Sequence, residues 1–208
     1  MVRQLWRIAA LLAFPALPTS AQTFQFLPEV DTYFKMNPEV RVQFQAKETR
    51  EGGTPTQVEL GPSIEFHLKP LVLGVGYRYL PSPNAPTENR LRLDLTFLFP
   101  LKAKILIADR NRADLDWQSG TFTWRYRNKF AIAKTITIKS YQPRPYVAVE
   151  PFYESQFQKW STTALYAGCL FPIGKHAQFD VYYEHQNNTG NKPNQQLNQF
   201  GLALSLYF

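Results

Sequence analysis

Apolar residues recur at every second position along most of this chain, the period of a strand with one greasy face and not of a helix. Between residues 196 and 208, Phe200, Leu202, Leu204, Leu206 and Phe208 alternate with Gln199, Gly201, Ala203, Ser205 and Tyr207. Val40, Val42, Phe44 and Ala46 alternate in the same way with Arg41, Gln43, Gln45 and Lys47. Leu60, Pro62, Ile64, Phe66 and Leu68 stand against Glu59, Gly61, Ser63, Glu65 and His67. Leu73, Val75, Tyr77 and Tyr79 follow, with Gly74, Gly76 and Arg78 between them. Leu91, Leu93, Leu95, Phe97 and Phe99 are then interleaved with Arg90, Arg92, Asp94 and Thr96. Further strands are expected over residues 102–116, 121–132, 146–154, 162–171 and 179–186, near the roughly 9 to 11 residues that a tilted spanning strand needs.

Turn-forming clusters separate these runs: residues 51–55, 81–86, 117–120 and 187–195, with tight turns at Lys69-Pro70 and Pro100. Short and long connections are expected to alternate, as they do when short periplasmic turns face longer extracellular loops. Ten strands result if residues 27–36 are only a lead-in. Including that stretch makes eleven, an odd number that would put the amino terminus outside, so the sequence predicts ten, with twelve as the alternative. The expected fold is all-β, a transmembrane antiparallel β-barrel, because in lipid only a closed sheet leaves no unpaired edge.

The amino terminus changes the setting. Arg3 and Arg7 precede an apolar run over residues 8–17, and Pro18-Thr19-Ser20-Ala21 follows. This is the form of a secretory signal peptide over residues 1–21, which leaves a barrel domain over 22–208. Its loss lowers Lys+Arg from 23 to 21 against 16 acidic residues, and the formal net charge from +7 to +5. The basic residues are spread among acids, which argues against nucleic-acid binding. A 15% aromatic content with a mean hydropathy of −0.32 suits a polar lumen inside an aromatic-girdled wall. The girdle is expected to include Tyr77, Tyr79, Trp124, Trp160, Tyr182 and Tyr183. The one cysteine, Cys169, falls on the lipid parity and is assigned no role.

An alternating strand that ends on a bare aromatic residue resembles the insertion signal of Gram-negative outer-membrane barrels. The resemblance implies that Leu204, Leu206 and Phe208 are read by the barrel-assembly machinery. It also implies residence in the cell outer membrane, against its lipids and lipopolysaccharide. A second resemblance rests on Asp109-Arg110-Asn111-Arg112-Ala113-Asp114-Leu115-Asp116-Trp117 and Trp124-Arg125-Tyr126-Arg127-Asn128. With Phe152-Tyr153-Glu154-Ser155, Trp160 and Tyr182-Tyr183-Glu184-His185-Gln186-Asn187, these residues resemble the bacterial domain-of-unknown-function family 2490. That likeness implies an uncharacterised outer-membrane barrel and is silent on activity.

The inward parity carries the candidate chemistry. Arg78, Arg90, Arg92, Arg110, Arg112, Arg125 and Arg127 share it with Asp94, Asp114, Glu150, Glu154, Asp180 and Glu184. A barrel of about ten strands is narrow, so these charges are expected to pair and fill the lumen, with an arginine-lined conduit as the other outcome. Glu150 and Glu154 are the expected partners of Arg125 and Arg127. His67, His176 and His185 lack ligand spacing, and there is neither a glycine-rich phosphate loop nor a Gly-x-Ser-x-Gly elbow, so no metal and no cofactor is expected.

The leading reading is a small outer-membrane barrel with a structural or transport-related role. Its rival is a lipid-active barrel enzyme of the phospholipase or lipid A deacylase type. If Phe171 opposes Ala177, antiparallel counting puts His185 across from Thr163, with Ser161 one diagonal step away. If Asn188 pairs with Gln195, His185 also lies beside Asn198. A His185, Ser161, Asn198 cluster on the outer wall would have the parts of a nucleophile, a base and an orienting amide.

Overall fold

The alternation becomes the two faces of a wall that closes on itself. The computed structural model describes residues 22–208, and the expected signal peptide lies outside them. Eleven strands form the barrel: β1 (Gln22–Lys35), β2 (Val40–Glu51), β3 (Thr54–Leu68), β4 (Leu71–Ser82), β5 (Ala85–Leu101), β6 (Ile105–Gln118), β7 (Thr121–Lys134), β8 (Arg144–Glu154), β9 (Lys159–Ile173), β10 (Ala177–Asn188) and β11 (Gln195–Tyr207). A single 3-10 turn, Lys102–Lys104, joins β5 to β6.

Each strand pairs antiparallel with its neighbours in sequence, but the ring closes where β1 meets β11 in parallel, with Phe26 beside Phe200, Val30 beside Leu204 and Tyr33 beside Tyr207. The expected lead-in is thus a full strand of fourteen residues, and the count is eleven where the parity argument favoured ten. An even count follows only where the ring closes antiparallel; an odd ring of up-and-down strands must contain one parallel seam. The carboxyl terminus is held there by backbone bonds, Phe208 N–H to Tyr33 O at 2.9 Å and Lys35 N–H to Phe208 O at 2.9 Å.

The connections do not sort into short and long ends as expected. The loops expected over 51–55 and 81–86 contract to Gly52-Gly53 and Pro83-Asn84, because the flanking strands continue through Thr54 and Ala85. Gly52 and Gly53 have φ of +56° and +83°, the left-handed pair that a two-residue hairpin turn demands. The longest described connection, residues 135–143, lies at the end where β11 terminates.

The barrel is a globular protein turned inside out. Val147, Leu165 and Phe44 are 58%, 52% and 51% exposed on the outer face, whereas Arg78, Glu150 and Asp114 are 1%, 0% and 0% exposed inside. The buried apolar cluster is small, Ala148, Phe152, Ala164 and Tyr166. Aromatic pairs gather at the end away from the carboxyl terminus: Trp117 tilted against Phe122 at 5.2 Å, Trp124 stacked on Tyr153 at 5.4 Å and Tyr126 edge-on to Trp160 at 6.0 Å. Tyr77, Tyr79 and Tyr183 are exposed near the same end. Tyr182, expected among them, turns inward and lines the lumen, since consecutive strand residues cannot share a face.

Candidate functional site

Period-two alternation on β4 to β7 delivers the arginines to one wall of the lumen. Glu59 of β3 anchors three of them, 2.7 Å from Arg92, 3.4 Å from Arg78 and 3.6 Å from Arg90. Arg90 continues to Asp116 at 2.6 Å, and Arg92 to Asp114 at 3.4 Å. Arg125 lies 3.5 Å from Asp116 and 3.8 Å from Asp114, and Arg127 lies 3.7 Å from Asp114. Glu150 receives Arg110 at 2.9 Å and Arg127 at 3.0 Å. Arg112 grips Asp94 with two nitrogens, at 2.7 and 3.2 Å. Each of these carboxylates would be costly to bury alone, and the guanidinium fork is well suited to satisfying more than one of them.

The wall around the β1–β11 seam, which the strand order places opposite β6, has the reverse character. Its carboxylates are held mostly by neutral donors. Gln43 donates to Asp31 at 2.8 Å, Gln45 donates to Glu29, and the Tyr146 hydroxyl donates to Asp180 at 3.0 Å. Glu184 accepts from Gln186 at 2.5 Å. Lys47 is the nearest cation to Glu29, at 4.0 Å. Gln45 ties the two walls together, its amide oxygen accepting from Arg78 at 2.7 Å and Arg92 at 3.1 Å. The Tyr166 hydroxyl sits between Glu150 and Glu184, at 2.7 and 3.0 Å, and Lys129 Nζ caps its ring 3.5 Å from the centroid.

Between the walls lies a cavity of about 840 Å³. Its lining runs from Thr49, Thr56 and Asn188 near one rim to Glu65, Thr96 and Tyr207 near the other. The tyrosine rings leave this space clear by lying flat against the wall: Tyr182 covers Gly201 and Tyr146 covers Gly168, where any Cβ would overlap the ring. Among the described residues, no group of three or more His, Cys, Asp and Glu side chains converges as a metal site.

The structure brings together two members of the expected outer-wall cluster and separates the third. Asn188 pairs with Gln195 and His185 with Asn198, whose side chains meet at 2.8 Å between Nδ1 and Oδ1. The Tyr183 hydroxyl donates to the same Asn198 oxygen at 2.6 Å. Ser161 is elsewhere, buried in the lumen and donating to Glu154. Two features of β9 account for this. Phe171 opposes Phe179, not Ala177, so His185 faces Leu165 and not Thr163. A bulge also pairs Phe152 with Thr162 and Tyr153 with Trp160, leaving Ser161 as the extra residue that turns inward.

The expected pairing of the β8 acids also changes in part. Glu150 does meet Arg127, but Glu154 is taken by Ser161 and Arg125 turns to the β6 aspartates. Glu59, Asp116, Gln45, Lys47, Glu29, Asp31 and Lys129 take part in the lumen without having been singled out from sequence. Glu59, Gln45 and Lys47 stood on the polar parity of their strands, and only the chords across the lumen show which charges they meet.

No curated protein and no solved structure matches this chain. One family model does, that of a protein of unknown function, DUF2490, over residues 24–197. Its match takes in β1 from Phe24, the whole of β2 to β10 and the first three residues of β11, and the chain therefore belongs to the DUF2490 family.

Proposed function

We propose that the chain is an integral outer-membrane barrel whose lumen passes small polar solutes. The observation that carries the reading is the cavity, bounded by lining residues near both rims, inside a closed wall whose exposed face is apolar. A belt of exposed Leu, Ile, Val and Phe is unfavourable in water but suited to hydrocarbon, and a closed ring leaves no backbone group unpaired there. The arginine wall facing a carboxylate and amide wall favours small dipolar or ionic solutes, which keep polar partners on both sides as they pass. The lipid-active alternative retains only the His185–Asn198 pair on the outer rim, since Ser161 faces the lumen.

The test is the mature chain refolded into planar bilayers, with single-channel current recorded beside the swelling of solute-loaded vesicles. Discrete conductance steps, with ion selectivity altered by Glu29→Gln and Asp31→Asn, are expected. Insertion without any current or solute flux would show that the charge network seals the lumen and that the barrel is structural.

A further inference from the structure

We infer that the rim at which β11 ends is a docking surface for anionic phospholipid headgroups. This rests on the reading of the barrel as membrane-embedded, and it concerns the rim and not the lumen. Five connections gather at this end: residues 36–39, 69–70, 102–104, 135–143 and 174–176. They and the adjoining strand end present six exposed lysines, Lys69, Lys102, Lys104, Lys134, Lys139 and Lys175. Glu39 is the only acidic side chain in those connections. None of the six lysines forms an ion pair among the described residues; Lys104 donates to the Thr137 hydroxyl at 2.7 Å. The five connections at the opposite end, residues 52–53, 83–84, 119–120, 155–158 and 189–194, hold one charged residue, Lys192.

A second feature sits among these lysines. Beyond β7 and β8 the chain continues as a narrow ribbon past the rim, closed by Ile136 N–H to Pro143 O at 2.9 Å and by reciprocal bonds between Ile138 and Tyr141 at 2.9 and 3.0 Å. Ile136, Ile138 and Tyr141 are exposed on it, and Leu101 and Ile173 are exposed on the strand ends beside it. Apolar and aromatic side chains interleaved with lysines are the chemistry of a headgroup interface, where the stems lie in the acyl boundary and the ammonium groups meet phosphate. The lysines are distributed over four of the five connections and so follow the perimeter of the barrel. That shape matches the plane of a lipid leaflet better than the compact footprint of an acidic protein. Each lysine near such a surface adds to the attraction, and the effect fades beyond a Debye length.

The experiment uses the mature chain refolded into vesicles of phosphatidylcholine alone and of phosphatidylcholine with phosphatidylglycerol. It is repeated for Lys102→Gln/Lys104→Gln/Lys139→Gln, for Ile138→Ser, and for Lys192→Gln as a control at the opposite rim. Lipid retained by the barrel after a detergent wash is measured by mass spectrometry. Enrichment of phosphatidylglycerol by wild type and by Lys192→Gln is expected, falling at least about tenfold in the triple variant and when salt is raised. Ile138→Ser should lower retention of both lipids without changing the preference between them. Equal retention of the two lipids by wild type, or a preference untouched by the triple substitution, would overturn the inference and leave the membrane barrel standing. Failure to insert into either kind of vesicle would overturn the membrane reading itself.

Discussion

Phe208 stacks on Phe34 with ring centroids 5.6 Å apart and planes 22° from parallel, on the same seam where Tyr207 stacks on Tyr33 at 5.1 Å. Parallel pairing in register puts like faces side by side, so the last two aromatics of the chain meet the aromatics near the end of its first strand. The terminal residue is therefore a structural part of the closure, with both its backbone N–H and its C=O bonded to β1. Phe208→Asp should remove one stacked pair, worth about 1 kcal/mol beyond its area, and set a charge against the apolar belt. The expected result is a reduced yield of folded, heat-modifiable barrel with export unaffected. Wild-type yield from this variant would show that the seam does not depend on its last residue.

Arg127 and Arg125 should respond differently to truncation. Arg127 meets the fully buried Glu150 at 3.0 Å, whereas Arg125 reaches its aspartates only at 3.5 and 3.8 Å. Arg127→Ala should cost about 3 kcal/mol, the low end for breaking a buried pair, because Arg110 and Tyr166 still hold Glu150. Arg125→Ala should cost less, about 1 kcal/mol, because Arg90 still holds Asp116 and Arg92 and Arg127 still hold Asp114. Urea unfolding of the two variants in the same lipid measures the difference, and equal costs would contradict this arrangement of partners.

Gly201 is where Tyr182 lies flat, and Gly201→Ala would push the ring off the wall and into the cavity. The overlap should cost about 1 to 3 kcal/mol and reduce any lumen current. Tyr182→Ala in the same background should relieve the clash, which a thermal melt of single and double variants tests. A double variant no more stable than Gly201→Ala alone would refute the contact.

Ser161→Ala is expected to act on folding and not on lipid chemistry. It strips buried Glu154 of its donor, at a cost of about 1 to 3 kcal/mol. Phospholipid and lipopolysaccharide turnover, with and without calcium, should be the same for wild type, Ser161→Ala and His185→Ala. Acyl release by wild type that both substitutions abolish would restore the enzyme reading and require Ser161 to leave the lumen.

What the sequence determined by itself was parity. Alternation on β2 to β5 and β11 told which side chains face out and which face in, and it placed Arg78, Arg90, Arg92 and Asp94 together in the lumen before any partner was known. The pairing of His185 with Asn198 was legible too, because the polar loop before β11 sets that register. That the sheet closes was legible, but the seam was not: whether residues 22–35 act as a strand depends on β11 lying beside them, and a parallel seam leaves no mark on either strand's own pattern. Nor was the β9 register, since moving a pairing by two residues changes every partner while leaving every face intact. Ser161 marks the sharper limit. A single bulge reverses the parity of one residue, and it arises from how β8 and β9 fit against each other, so only the tertiary structure could turn that hydroxyl from the outer wall to Glu154.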